Sequence, residues 1–210
     1  MNLSDLRHDF GTQRQADKEH PENPFLLFDK WLEQAINFPI VDANAMVLST
    51  VNQQQHPSSR IVLLKAYGQQ EGFVFFTDYQ SQKGNEMKQN PFAALHFFWS
   101  PLERQIRIEG KVEKTSRKKS IDYFNSRPIE SRASAIVSHQ SQPIEHPERL
   151  AERQQALLNM EKSLHCPERW GGYTLHASRF EFWQGGVNRL HHRLVYELNQ
   201  HQWDTQWLAP

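Results

Sequence analysis

A single cysteine in 210 residues, Cys166, rules out an intrachain disulfide and a cysteine-rich zinc site. That scarcity suits a reducing compartment. No run of about 18 apolar residues occurs, so the sequence offers no membrane-spanning helix. Residues 1–20 are charged and lack the apolar centre of a secretory signal, and the expected location is cytoplasmic. Excess charge is missing too: 24 basic residues balance 24 acidic ones, which removes any general drive toward nucleic acid or an acidic membrane. An anion site must therefore be local. The motifs G-x-G-x-x-G, G-x-x-x-x-G-K-[ST], C-x-x-C and H-E-x-x-H are all absent, so dinucleotide, P-loop and zincin readings lose their main support.

What is present reads as an ordinary globular protein, with 38% hydrophobic and 23% charged residues. Residues 1–22 are polar and aperiodic and read as a mobile N-terminal arm, leaving residues 23–210 as the main domain. Asn23 is a suitable helix N-cap and Pro24 a suitable first residue; Phe28, Trp31, Leu32, Ala35 and Ile36 then recur at helical spacing. Strand-like runs follow at 45–51, 59–66, 72–77, 92–99 and 103–113, separated by polar or Gly/Pro breaks. In the last run Gln105, Arg107 and Glu109 alternate with Ile106 and Ile108, which predicts one polar face and one apolar face. Helices are expected at 116–125, 129–138 and 147–164, and strands again at 172–176, 179–184, 193–198 and 203–207. The class is α+β, mostly antiparallel β.

Three segments carry cations and hydroxyls suited to phosphorylated small molecules. In Arg60-Ile61-Val62-Leu63-Leu64-Lys65 two cations bracket four apolar residues. Period-two geometry puts them on opposite faces, so only a ligand across a strand end meets both; a buried strand with solvated charged ends fits the same pattern. Tyr123, Arg127 and Ser131 are spaced by four, which stacks three phosphate donors if helical geometry persists through Pro128, and otherwise describes an ordinary helix end. In 183–193, Gly185-Gly186 precedes Arg189, His191, His192 and Arg193, a cluster able to hold an anion. No metal-ligand spacing accompanies the histidines, and no metal is expected. Ser81-Gln82-Lys83 before one helix and Gln140-Ser141 after another suit caps or phosphate contacts.

Taken in order, R-I-V-L-L-K, L-E-R-Q, Y-F-x-S-R-P, Q-S, F-W-Q-G-G and R-L-H-x-R resemble the pyridoxamine 5′-phosphate oxidase family, with the similarity running over about 24–210. The resemblance implies an FMN-binding split β-barrel with peripheral helices, working as a homodimer with the flavin at the subunit interface. It implies FMN contacts from Arg60, Ile61, Val62, Leu63, Leu64, Lys65, Phe76, Thr77, Gln82, Lys83, Gln105, Gln140, Ser141, Trp183 and Arg193. The substrate phosphate falls to Lys65, Tyr123, Arg127 and Ser131, and the pyridine ring to Arg189 and His191. The implied reaction takes a hydride from the 4′ carbon of pyridoxine or pyridoxamine 5′-phosphate to FMN and then to oxygen, giving pyridoxal 5′-phosphate and hydrogen peroxide.

Four positions depart from that pattern. Gln82 stands where the family usually has arginine, Phe76 and Phe10 where it has tyrosine, and His192 where an acidic residue is common. Residues 6–10 resemble the family's lid segment. Two other functions share the fold: oxidation of another ring, as in the phenazine-pathway relatives, and non-catalytic binding of flavin or pyridoxal phosphate.

Overall fold

The computed structural model describes Leu3, Phe10 and residues 20–160 and 163–210. Most of the expected arm, including residues 6–9 of the lid-like segment, lies outside the described residues. The chain divides into two compact units. One comprises Met1–Leu48, Ala94–Gly110 and Ala177–Pro210; the other comprises Ser49–Ala93 and Lys111–His176.

The first helix, α1 (Pro24–Asn37), starts where the sequence predicts. The Asn23 side chain accepts from the Phe25 N–H at 2.9 Å, and Pro24 occupies a position whose N–H would have no helical partner. Strands β1 (Ala45–Val51), β2 (Pro57–Leu63), β3 (Ala66–Gly68) and β4 (Gly72–Asp78) follow, then α2 (Gln82–Gln89), β5 (Phe92–Trp99) and β6 (Arg104–Lys114). Three helices come next, α3 (Arg117–Ser126), α4 (Ile129–Val137) and α5 (Glu148–Asn159). Strands β7 (Trp170–Gln184), β8 (His192–Asn199) and β9 (Gln202–Leu208) complete the described elements. The sheet order is β2-β1-β5-β6-β7-β4-β3, with β8 on β7 and β9 on β8. The pairings of β7 with β4 and β8, of β4 with β3 and of β8 with β9 are antiparallel.

Within the first unit, α1 buries Phe25, Phe28 and Trp31, which meet Phe180, Phe97 and Phe182 edge-on at 5.2, 5.4 and 5.3 Å between ring centroids. Such pairs add about 0.5–1.5 kcal/mol each beyond the area they bury. Ile36, expected on this apolar face, is instead exposed at the last turn. In the second unit, Phe73, Val74, Phe75 and Leu175 are fully buried along β4 and the facing part of β7. Ile106 and Ile108 are fully buried while Arg107 is exposed, the alternation that the sequence predicts for β6.

Three boundaries differ from expectation. The run 59–66 breaks after Leu63, because the chain turns there to begin β3. Segments 172–176 and 179–184 are one 15-residue strand, β7, whose first part pairs with β4 and whose last part pairs with β8. Helix α5 stops at Asn159, and residues 161–162 of the predicted longer helix are outside the described residues. Among the described residues no helix is long and apolar enough to cross a membrane.

Candidate active site

A cavity of about 740 Å³ opens in the second unit. Arg60, Ile61, Val62 and Leu63 of β2 form one wall, joined by Lys65 from the connection to β3. The break after Leu63 matters here. Strict alternation predicts Arg60 and Lys65 on opposite faces, but Lys65 lies beyond the strand end and both line the same cavity. Leu64 between them is buried and does not line it.

Lys83, in the first turn of α2, also lines the cavity. Its Nζ donates to Gln140 Oε1 at 2.9 Å and to Thr77 Oγ1 at 3.3 Å, and Thr77 Oγ1 donates to the same Gln140 oxygen at 2.8 Å. Burial and the neighbouring Arg60 charge pull the Lys83 pKa down to about 8, only partly offset by Asp78 and Glu86. An arriving anion would reverse that penalty. The segment carrying Gln140 and Ser141 is held at its root by Arg169, which donates to the carbonyls of Ala135, Ile136 and Ser138 at 3.1, 2.7 and 3.0 Å and pairs with Asp78 at 3.4 Å. These contacts satisfy carbonyls left open by the end of α4.

Tyr123, Arg127 and Ser131 line the same cavity. Pro128 does interrupt the helix: α3 ends at Ser126, and Arg127 is extended (φ −77°, ψ 152°), as a residue before proline must be. The three side chains nevertheless converge, because α4 restarts at Ile129. The Arg127 guanidinium lies 4.9 Å over the Trp170 ring. Its Nη1 is buried with no hydrogen-bond partner among the described residues, and burial lowers its pKa. A buried, unsatisfied guanidinium nitrogen beside a cavity is a ready donor for an oxyanion. Phe76 stacks on Tyr123 at 3.9 Å, with Trp170 5.6 Å from Phe76, so this part of the cavity is an aromatic layer edged by cations.

A second group of expected residues lies in the first unit, on the polar face of β6 and β7. Ion pairs Glu109–Arg179 (3.0 Å) and Arg107–Glu181 (2.7 Å) link the two strands, and Gln105 and Trp183 are further along them. Gln105 Oε1 is 3.0 Å from His96 Nε2. Arg193 is fixed by Glu181 at 2.8–2.9 Å and donates to the Ala209 carbonyl at 3.0 Å. Burial opposes the charge on Glu181, but the bonds and charges of Arg193, Arg107 and Arg179 outweigh it and hold its pKa low.

His191 rests against Trp183, 4.6 Å between centroids, and Phe10 meets both rings edge-on at 5.5 and 5.6 Å. The Gly186 N–H donates to His191 Nδ1 at 3.2 Å, which places the proton of the neutral ring on Nε2. Burial, with the Arg189 and His192 charges, lowers the His191 pKa and favours that neutral form. Gly186 is required by close approach: a Cβ there would lie 2.1 Å from the Leu190 carbonyl oxygen. Asn188 and Arg189 both take positive φ (53° and 64°), a costly conformation for residues with side chains.

The cavity thus gathers Arg60, Ile61, Val62, Leu63, Lys65, Phe76, Thr77, Lys83, Tyr123, Arg127, Ser131, Gln140 and Ser141. Gln82 is not among its lining residues; its amide donates to Glu86 Oε1 at 2.9 Å. Gln105, Trp183, Arg189, His191 and Arg193 belong to the other unit. Sequence reasoning missed Trp170, Ser134 and Ser138, which also line the cavity. Ser134 and Ser138 follow Ser131 at helical spacing, a signal in plain view; Trp170 carries none.

The fold and this cavity, lined by Arg60, Lys65, Lys83 and Arg127, define a split-barrel protein with a cationic site. Residues 32–159 match the family model for pyridoxamine 5′-phosphate oxidase, and residues 170–210 match the model for the pyridoxine 5′-phosphate oxidase C-terminal dimerisation region. The pyridoxine/pyridoxamine 5′-phosphate oxidase of Pseudomonas entomophila is 46% identical, and pyridoxine/pyridoxamine 5′-phosphate oxidase 2 of Hydrogenovibrio crunogenus is 44% identical. Each alignment covers 100% of this chain and 99% of the relative. PhzG from Burkholderia lata, solved with tetrahydrophenazine-1-carboxylic acid, superposes with a TM-score of 0.87 at 29% identity over 91% of this chain and 95% of its own. An FMN-binding protein from Nostoc punctiforme shares the fold, with a TM-score of 0.71 at 15% identity over 92% and 99%. The chain belongs to the pyridoxamine 5′-phosphate oxidase family.

Proposed function

We propose that the chain oxidises pyridoxine or pyridoxamine 5′-phosphate to pyridoxal 5′-phosphate in the cytoplasm, with FMN as cofactor, oxygen as final acceptor and hydrogen peroxide as by-product, in vitamin B6 biosynthesis and salvage. One observation carries the reading. Lys65, Tyr123, Arg127 and Ser131 share a single cavity with Arg60, Thr77, Lys83, Gln140 and Ser141, giving donors for two phosphates. The donor set fits FMN: the cavity is roomy, it has an apolar strand along one side, and Lys83 is a buried cation whose Nζ bonds neutral oxygens of Thr77, Ser81 and Gln140 among the described residues.

When bound, FMN supplies the hydride acceptor and returns the electrons to oxygen. The chain's own residues bind and align. Lys65, Tyr123, Arg127 and Ser131 hold the substrate phosphate, while Arg60, Lys83, Thr77, Gln140 and Ser141 hold that of the flavin. Arg189 orients the substrate and stabilises developing charge, and His191, neutral and protonated on Nε2, positions the ring substituents. In this reading the chain works as a homodimer with the flavin at the subunit interface, held by contacts from both subunits that include Gln105, Trp183 and Arg193.

A second reading, oxidation of a ring without a phosphate, follows from the likeness to PhzG. The retained donors Lys65, Tyr123, Arg127 and Ser131 favour the B6 phosphates. The test is purified protein reconstituted with FMN and given pyridoxine 5′-phosphate in air. Pyridoxal 5′-phosphate with equimolar peroxide is expected; a yellow, folded protein that forms neither would overturn the oxidase reading.

A further inference from the structure

Glu86, which sequence reasoning did not single out, is a buried carboxylate in α2 that does not line the cavity. Its environment is organised around one neighbour, Arg60, which does. Arg60 Nη2 lies 3.2 Å from Glu86 Oε2. Two hydroxyls complete the link. Ser58 Oγ accepts from Arg60 Nη2 and donates to Glu86 at 2.8–3.0 Å; Thr50 Oγ1 accepts from Arg60 Nη1 and donates to Glu86 Oε2. Gln82, one helical turn before Glu86, donates its amide to Oε1 at 2.9 Å and occupies the remaining side of the carboxylate. Burial disfavours the Glu86 charge, but the bonds from Thr50, Gln82 and Ser58 and the Arg60 charge outweigh it and keep the group ionised.

We infer that Glu86 is the positioning residue for Arg60, and that Gln82 acts on the anion end of the cavity through Glu86 rather than by touching the ligand. This rests on the FMN reading above. A long, cationic side chain at the mouth of a cavity samples many rotamers unless something holds it. Here a charge-assisted pair and two bridging hydroxyls join β1, β2 and α2 around the guanidinium, so Arg60 is ordered before any anion arrives. An arginine at position 82 would compete with Arg60 for the same carboxylate. A neutral glutamine caps Glu86 and leaves its charge to Arg60.

The test uses the full chain and two probes, FMN and riboflavin, which differ by the phosphate, with dissociation constants read from flavin fluorescence. Glu86→Gln is expected to weaken FMN about tenfold, the scale of one charge-assisted contact, and to leave riboflavin unchanged. Gln82→Met, on the exposed side of α2, gives a smaller loss of the same kind and serves if Glu86→Gln does not fold. In a double-mutant cycle, either change added to Arg60→Met costs no further FMN affinity. Losses that multiply, or that fall equally on riboflavin, would overturn the inference. A second readout needs no flavin. The ¹⁵N resonances of the Arg60 guanidinium in the apo-protein show restricted rotation in wild type and free rotation in Glu86→Gln; free rotation in both refutes the clamp. Restricted wild-type Arg60 in a chain that binds no FMN upholds the clamp and overturns the flavin reading alone.

Discussion

Lys83 is the most informative residue to perturb, because its buried position gives stability and binding opposite dependences on its charge. Moving its pKa from 10.5 to about 8 corresponds to about 3 kcal/mol between the charged and neutral forms in the folded chain. Between those two values the unfolded chain keeps a proton that the folded chain has released. Folded-state stability therefore rises with pH across that window, by about 2 kcal/mol between pH 7 and 9.5 from this site. Urea unfolding of apo wild type and Lys83→Met at both pH values isolates the contribution, since other groups titrate alike in both proteins. Binding runs the other way. A flavin phosphate beside Nζ favours the charged form, so FMN binding takes up a proton above pH 8, and affinity falls about tenfold from pH 7 to 9 in wild type. Lys83→Met binds FMN weakly and with little pH dependence over that range. Parallel pH profiles in the two proteins, for stability or for affinity, would refute the argument.

Four further outcomes follow from the same geometry. Arg127→Met is expected to raise KM for pyridoxine 5′-phosphate by about a hundredfold, the scale of a strong charge-assisted contact, without lowering apo-protein stability, because the buried Nη1 it removes has no partner there. Arg189→Ala lowers turnover far more than flavin occupancy, read by steady-state kinetics beside the bound-flavin absorbance; equal loss of both would count against its assigned role. His191 has a lowered pKa, so the folded chain resists its protonation: kcat/KM holds through neutrality and declines only below the ordinary histidine range near pH ~6.5, a decline that His191→Asn lacks. Phe28→Ala, at a fully buried ring against Phe97, costs about 3–5 kcal/mol in chemical denaturation.

Much of the architecture was legible in the chain because its signals are local. Asn23-Pro24 marks the start of α1, and β1 and β5 run over the residues that their apolar patterns predict. The places where expectation failed are those where a distant partner decides. A break was expected between 176 and 179, yet β7 continues through it beside β6, while β4 and β8 pair only with its first and last parts. Ile36 fits a helical repeat, but the repeat does not reveal where the packing surface under α1 ends.

The candidate site divides the same way. Residue chemistry, and the order in which the six motifs occur, were enough to nominate the phosphate donors and to identify the family, since donor type and motif order are properties of the chain itself. Convergence was not. Alternation set Arg60 and Lys65 apart and Pro128 broke the helical row of Tyr123, Arg127 and Ser131, yet a strand end and a restarted helix bring all five to one cavity. Glu86 and Trp170 had no sequence signal at all, because a positioning residue is defined by what it touches, and both touch an arginine far away in the chain. Local geometry is written in short-range spacing. The electrostatics of a buried cation, such as the depressed pKa of Lys83, exist only when folding removes water and brings Arg60, Asp78 and Glu86 around it.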